Sequence, residues 1–366
     1  MGAQAALETF LADEGCWAMS LSGAGAVYRL EQRYASLVGV PHALAVANAT
    51  LGLWALFLAL EIHGSEVITT PYTWGGSLAG LILAGNRPVF ADINRETLNL
   101  DPESVRSRIT PKTRAVLAVD IYGHPCEGPA LRRIADEHGL VLLQDCAQSF
   151  GAFLGEHHTG WWADAAVFSL GWGKALFAGE GGVVVTRHQE LLNRLVWATQ
   201  HPLRQLRDVP DRPVNELALN LRLHSVSAVW ADASFEDALA FVARRREASQ
   251  KVLAVLGGEG MSKTKPPDGV GVRSSFHRLT FEPTGDPSAL EALLSRRGRG
   301  CRLCRPPIVE PIYRQAAYTE LALSHRWPRP KRCRVAEEQG RLRRSLAPLK
   351  FSEAPHISPS EMMGPR

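Results

Sequence analysis

LVLLQDCA, residues 140–147, is an apolar run that closes on a carboxylate. RAVLAVDIYG (114–123) lies before it and AAVFSL (165–170) after it, and these runs do not alternate apolar with polar residues. Strands of that kind are covered on both faces. Toward the N-terminus RPVFADI (87–93), EVITT (66–70) and ALAVA (43–47) read as further strands, and GGVVVT (181–186) follows a glycine-rich turn. Helix-like stretches separate them: LGLWALFLALEI (51–62), residues 77–84, 102–109 with Asp101 as N-cap, 128–138, and a segment around Asn193. Buried strands divided by helices predict an α/β fold, a mostly parallel sheet flanked by helices. The texture changes after residue 245. Gly257 to Gly271 reads as a linker or surface loop, SSFHRLTFE (274–282) as a strand and SALEALLSRR (288–297) as a helix. A large domain over 1–245 and a smaller C-terminal α+β domain over 246–366 are therefore expected.

Composition excludes several classes of function. The 366 residues are 45% apolar with a net charge of +4, too small a charge to argue for nucleic acid. The Arg-rich stretch from Arg296 to Arg344 has few interleaved aromatics and reads as a solvated basic face. The longest apolar stretch, Leu51 to Leu60, is too short to span a bilayer. Residues 1–15 hold Glu8, Asp13 and Glu14 and lack a basic start before a long apolar core, so no signal peptide is read and a cytoplasmic location is expected. Cys301 and Cys304 have the spacing of a zinc pair, but only Cys333 lies nearby, so free thiols and no metal are expected.

The chemistry concentrates in two segments. LVLLQDCAQSFGA (140–152) places Asp145 and Gln148 at a strand end, and VFSLGWGKALFAGEGG (167–182) places Lys174 soon after Ser169 in a glycine-rich loop. Only seven of the 41 basic residues are lysines, and Lys174 stands alone between Lys112 and Lys251. Arginine cannot form a Schiff base, because its guanidinium stays protonated. An amine, a carboxylate and a hydroxyl so arranged suit pyridoxal phosphate, which needs a lysine, a carboxylate on its ring nitrogen and donors around its phosphate. Asn48-Ala49-Thr50 precedes a helix-like run, so the Ala49 and Thr50 amides are placed to meet that phosphate. In open α/β sheets ligands gather at the carboxyl ends of strands, and Asp145, Trp74 and Ser169 fall at or just past such ends. Plainer readings stand beside each: a surface lysine, a capping aspartate, a solvated glutamine and a core tryptophan. Competing motifs are weak or missing. Gly23-Ala24-Gly25 is followed by Tyr28 where a dinucleotide fingerprint wants glycine, and neither a P-loop nor a G-x-S-x-G elbow occurs.

With these residues in view, the chain resembles the DegT/DnrJ/EryC1/StrS family of fold-type I pyridoxal-phosphate enzymes, the sugar and cyclitol aminotransferases. The blocks that carry the resemblance are SGAGAVYRLEQRYASLVGVPHALAVANAT (22–50), VITTPYTW (67–74), PVFADINRETLNLDPESVRSRITPKTRAV (88–116), the two segments above, NLR (220–222) and RPPIVEPIYRQAAY (305–318). It implies a large domain with a seven-stranded sheet, Lys174 as Schiff-base residue and proton shuttle, and Asp145 on the ring nitrogen. It further implies Gln148 on the ring hydroxyl, Trp74 stacked on the ring, and Ala49, Thr50 and Ser169 on the phosphate. Asn220 would reach that phosphate from the neighbouring subunit of a homodimer. The implied reaction moves an amino group from glutamate or glutamine to a keto-sugar or keto-cyclitol, in secondary-metabolite (antibiotic-type) biosynthesis. A lyase or dehydratase of the aminohydroxybenzoate-synthase type and a non-catalytic cofactor-binding regulator are the alternatives. Leu-Gly-Trp-Gly between Ser169 and Lys174 departs from the polar residues common in the family, and Trp172 is placed to reshape the pocket.

Overall fold

The computed structural model describes residues 2–13, 16–258, 260, 271–284, 303–304, 308 and 310–346. The expected helix at 288–297, most of the 257–271 segment, Cys301 and residues 305–307 lie outside them.

Seven strands form the central sheet: β1 (His42–Val46), β2 (Glu66–Thr69), β3 (Arg87–Phe90), β4 (Thr113–Val119), β5 (Val141–Asp145), and, after the short hairpin β6 (Phe153–Leu154) and β7 (His157–His158), β8 (Ala165–Ser169) and β9 (Gly182–Thr186). Their order is β1-β9-β8-β5-β4-β2-β3. Only β9 runs against the others, pairing antiparallel with β1 and β8, while β8, β5, β4, β2 and β3 pair in parallel.

Side chains along each strand alternate between two cores, which is why the runs read as continuously apolar. Leu44, Val46, Ala115, Leu117, Leu143 and Val184 join one cluster. It also takes in buried residues of the helices Ala49–Ala59, Gly75–Leu83 and Gln189–Thr199. On the other face Ala43, Ala45, Phe168 and Val183 meet the helices Gly25–Val38, Ser225–Ala233 and Phe235–Gly258. Beside that group Val116, Ala118 and Leu142 meet the helix Gly128–His138. Burial of both faces places the only open positions at strand ends and in the loops beyond them.

The helix Phe235–Gly258 crosses residue 245 and continues through the glycines at which the linker reading began. The expected strand 274–282 is shorter: only Val272–Arg273 and Thr280–Phe281 are in ladders. Residues 274–278 leave the ladder because side chains satisfy their backbone instead. Arg245 Nε donates to the Ser275 carbonyl (2.8 Å), Arg246 Nε donates to the Ser274 carbonyl (2.9 Å), and Phe276 takes a left-handed φ of 48°. Cys126, Cys146 and Cys333 are free and buried, and no group of metal-holding side chains occurs among the described residues. Nor is any described helix long and apolar enough to cross a membrane.

One acid-sensitive element lies beneath the loop that follows β5. His158 is 1% exposed; its Nε2 accepts the Gly151 amide (3.0 Å), so its Nδ1 must donate to the Thr159 carbonyl (2.6 Å). Burial lowers its pKa to about 4. The unfolded chain, with a histidine pKa of about 6.5, then binds the proton first, so stability is lost as pH falls from about 6.5 toward 4. This residue alone should contribute a slope of up to ~1.4 kcal/mol per pH unit in that window, read from urea unfolding. His158→Gln should flatten the profile; an unchanged profile would remove His158 as its source.

Candidate active site

Asp145 ends β5 and is buried. Its Oδ2 accepts the Ser77 hydroxyl (2.6 Å) and its Oδ1 accepts the Ala147 amide (2.9 Å). Ser77 lies in the first turn of the helix Gly75–Leu83 and is itself bonded to the Thr73 hydroxyl (2.9 Å). The carboxylate is thus oriented from β5 and from the segment after β2 together. It caps a tight turn, not a helix.

Behind it, Asp120 braces the turn. This buried carboxylate accepts from Ser149 Oγ (2.6 Å), Gln144 Nε2 (2.9 Å), the Cys126 amide (2.9 Å) and the Thr159 hydroxyl. Burial raises its pKa and these four donors oppose the rise. Gln148 Oε1 accepts the amide of Tyr122 (2.8 Å), a residue held at a left-handed φ of 54°. Its amide nitrogen has no acceptor among the described residues, so it remains open to a ligand.

The 274–278 segment straps across this turn. The Ser275 amide donates to the Gly123 carbonyl (2.8 Å), Ser275 Oγ to the Gln148 carbonyl (2.9 Å), and the Arg278 amide to the Tyr122 carbonyl (3.3 Å). Gly123, at φ 85°, permits that approach: a Cβ there would stand 2.2 Å from Ser275 Oγ and 2.8 Å from the His277 nitrogen.

Lys174 sits in the turn between β8 and β9, half-buried, its amide bonded to the Gly171 carbonyl (3.2 Å). Burial lowers its pKa; the Asp145 charge opposes this and the Arg278 charge adds to it. The lysine and the aspartate, 29 positions apart in the sequence, are therefore within each other's field.

A third part lies at the start of the helix Ala49–Ala59. Asn48 caps it by accepting the Leu51 amide (2.9 Å), and the Ala49 and Thr50 amides take no acceptor among the described residues. Gly182 makes room for them, because a Cβ there would lie 2.8 Å from the Ala49 nitrogen. Ser169 is the ladder partner of Gly182, which brings its hydroxyl to the same end. Thr50 Oγ1 and the Trp74 ring both border Gly76, at 3.0 and 3.4 Å from where its Cβ would be. Trp74 is 68% exposed, so it is not a core residue. Trp172, 61% exposed, packs edge-on against Phe177 over the lysine turn. Asn220 is exposed, beside the Val46–Arg222 bridge, and its Oδ1 accepts from Arg222 (2.5 Å); no bond joins it to the other site residues.

Ser77, Asp120, Tyr122, His277 and Arg278 were not legible as site residues. The bonds that tie Ser77 to Asp145, Asp120 to Gln144 and Arg278 to Tyr122 span 68, 24 and 156 positions, and no local motif announces them. The only hint was the hydroxyl pair in SSFH (274–277), read as part of a strand. A cleft of about 470 Å³ between Tyr28, Glu31, His42 and Arg204 lies elsewhere and holds none of these residues; its Glu31 and Arg204 pair with each other (2.8 Å).

The donor set fits pyridoxal phosphate. Two amides without acceptors among the described residues and two hydroxyls could meet a phosphate, a fixed carboxylate lies at a strand end, and an amine held toward its neutral form lies within that carboxylate's field.

The DegT/DnrJ/EryC1/StrS aminotransferase family matches residues 15–333. A GDP-perosamine synthase of Vibrio cholerae is 38% identical over 167 residues, 45% of this chain and 46% of that protein, so the match spans about half of the curated relative. The structure of DesI with its TDP-sugar product superposes with a TM-score of 0.73 at 29% identity, over 94% of this chain and 84% of that one. An aminotransferase from Psychrobacter cryohalolentis shares the fold, with a TM-score of 0.79 at 21% identity over 95% of this chain and 91% of that one.

Proposed function

Because the chain belongs to the DegT/DnrJ/EryC1/StrS aminotransferase family, whose cofactor is pyridoxal phosphate, we propose that it transfers an amino group from glutamate or glutamine to a keto-sugar or keto-cyclitol. The observation that carries this reading is the Asp145–Lys174 pair: a buried, oriented carboxylate beside an amine held toward its neutral form. When bound, the cofactor supplies a carbonyl carbon for the nitrogen and an electron-poor ring that accepts the electron pair freed at the donor's α-carbon. Asp145 would hold the proton on the ring nitrogen, and Ser77 keeps the carboxylate aimed. Ala49, Thr50 and Ser169 would bind the phosphate, Gln148 the ring hydroxyl, and Trp74 would cover one ring face. Lys174 Nζ would take the proton from the donor's α-carbon in the first half-reaction and return one to the acceptor carbon in the second. A base must be neutral to do this at physiological pH, and burial of Lys174 favours that state.

A homodimer is part of the reading, with Asn220 reaching the partner's phosphate cradle; the exposure of Asn220 and of Leu217, at 92%, supports it. So are the division into 1–245 and 246–366, a cytoplasmic location and a role in secondary metabolism.

The test is a single-turnover experiment on the holoenzyme with L-glutamate or L-glutamine and no acceptor. The visible cofactor band should fade as the matching 2-oxo acid appears, one per site. A band that persists with no 2-oxo acid formed would reject the aminotransferase reading.

A further inference from the structure

Trp172 has no role in the reading above, and the backbone of the lysine turn fixes its place. Between β8 and β9 the chain leaves the sheet in a loop, closed at its base by the Ala178 amide on the Leu170 carbonyl (2.9 Å). Within the loop the Lys174 amide donates to the Gly171 carbonyl (3.2 Å), which closes a tight turn of four residues. Gly173 takes a left-handed φ of 78°. The third position of a type II turn requires such a value and therefore a glycine. Trp172 then occupies the second position, at the tip, and is 61% exposed. The Phe177 ring stands at right angles to the indole, with centroids 5.2 Å apart. A contact of that kind uses at most one face of the indole and leaves the other open. Glu180, itself exposed, comes to the base of the same turn: a Cβ on Gly171, the residue before Trp172, would lie 3.4 Å from its Oε2. An indole at a turn tip adds nothing to either core, so the fold gives no reason for it.

We propose that Trp172 is the platform for the amino acceptor: the C–H face of the acceptor's six-membered ring packs on the open face of the indole, with the ring's hydroxyls turned toward Glu180 and water. This rests on the aminotransferase reading. Lys174 must meet the ring carbon that receives the nitrogen, and the indole is carried two residues from it, at most about 7.6 Å between Cα atoms. The group on the indole is then the ring that holds the reacting carbon; a nucleotide joined to that ring through phosphates lies farther off. The donor does not suit the place, because glutamate and glutamine are open-chain and charged and have no ring face to offer. A pyranose and a cyclitol both carry C–H bonds on the ring face and hydroxyls at the rim, and C–H bonds meet the negative face of an aromatic favourably. Trp172 is thus a specificity determinant for the acceptor half-reaction, and Phe177 is the brace that holds the indole.

The test compares wild-type holoenzyme with Trp172→Ala and Trp172→Phe. Calorimetry measures binding of methyl β-D-glucopyranoside, a free pyranose, of myo-inositol, a free cyclitol, and of TDP-glucose against thymidine diphosphate, which differ by the hexose. In the alanine variant the Kd of each ring that binds wild type should rise about 5- to 30-fold, phenylalanine should recover part of the affinity, and the thymidine diphosphate Kd should hold. The ring that binds most tightly distinguishes a free sugar, a cyclitol and a nucleotide-linked sugar as the source. Failure of every ring to bind wild type overturns the proposal, as does a loss that TDP-glucose shares with thymidine diphosphate, which would place the base on the indole. A dimer that dissociates in the alanine variant while ring affinity holds would assign the indole to a second copy of the chain and overturn it as well. So would a collapsed turn, seen as loss of the visible cofactor band together with ring affinity and no rescue by phenylalanine. Wild type that forms no 2-oxo acid from L-glutamate or L-glutamine, yet binds a ring through Trp172, would reject the aminotransferase reading and leave the ring site standing.

Discussion

Lys174→Ala is expected to abolish turnover while leaving the fold intact. The lysine sits in a turn, half-buried, and its side chain makes no hydrogen bond among the described residues, so its removal breaks no structural contact. Chemically it is an amine within the field of the Asp145 carboxylate. Loss of a positioned general base costs about 10²–10⁴-fold, and here the same group is the nucleophile that would anchor the cofactor, so a drop of at least ~10³-fold is expected. Two readouts check it. The donor half-reaction should fall by that factor, and after borohydride reduction and denaturation the cofactor should stay with wild type but not with the variant. A variant that retains full transamination, or covalent retention at another lysine, would move the site away from Lys174.

Asp145→Asn should produce the second-largest effect. The change keeps the shape and the contact with the Ala147 amide but removes the charge. Ser77 keeps its other partner, Thr73, so the local fold should survive. A charge-assisted hydrogen bond contributes about 1.5–3 kcal/mol, so cofactor affinity should weaken roughly 10- to 150-fold by equilibrium dialysis. Removing a preorganised electrostatic partner should lower the rate of saturated enzyme by a further ~10²–10³-fold. An asparagine variant with wild-type rate and affinity would return Asp145 to the role of a turn cap.

The elements that were legible share one property: their signal is local. The runs at 114–123 and 140–147 are continuously apolar because β4 and β5 lie between two cores, and no other local structure buries such short segments on both sides. Asp101 announced the start of the helix expected over 102–109, which the structure reproduces with a bond from the Glu103 amide (3.1 Å), though the helix ends at Arg106. Asp145 and Lys174 stood out because carboxylates at buried strand ends and lone lysines in glycine-rich turns are locally unusual.

The strap failed that criterion. SSFHRLTFE has the composition of a strand, and as an isolated peptide nothing distinguishes it from one. Two arginines of the helix Phe235–Gly258 take its carbonyls, and Gly123 takes its serines; these competing partners arrive from 28 to 152 positions away. The same holds for Ser77 on Asp145 and for the four donors around Asp120.

What the amino-acid sequence determined by itself is the order of buried strands and covering helices, the position of the candidate carboxylate at a strand end and of the candidate amine in a glycine-rich turn, and the family. Each follows from short-range pattern: apolar periodicity, turn chemistry and block order. Only the tertiary structure decided how the carboxylate is aimed, which backbone amides are left without acceptors, and which cations face Lys174. Those depend on hydrogen bonds and fields between groups remote in the chain, and their strength is set by burial, which exists only once the sheet has closed between its two cores.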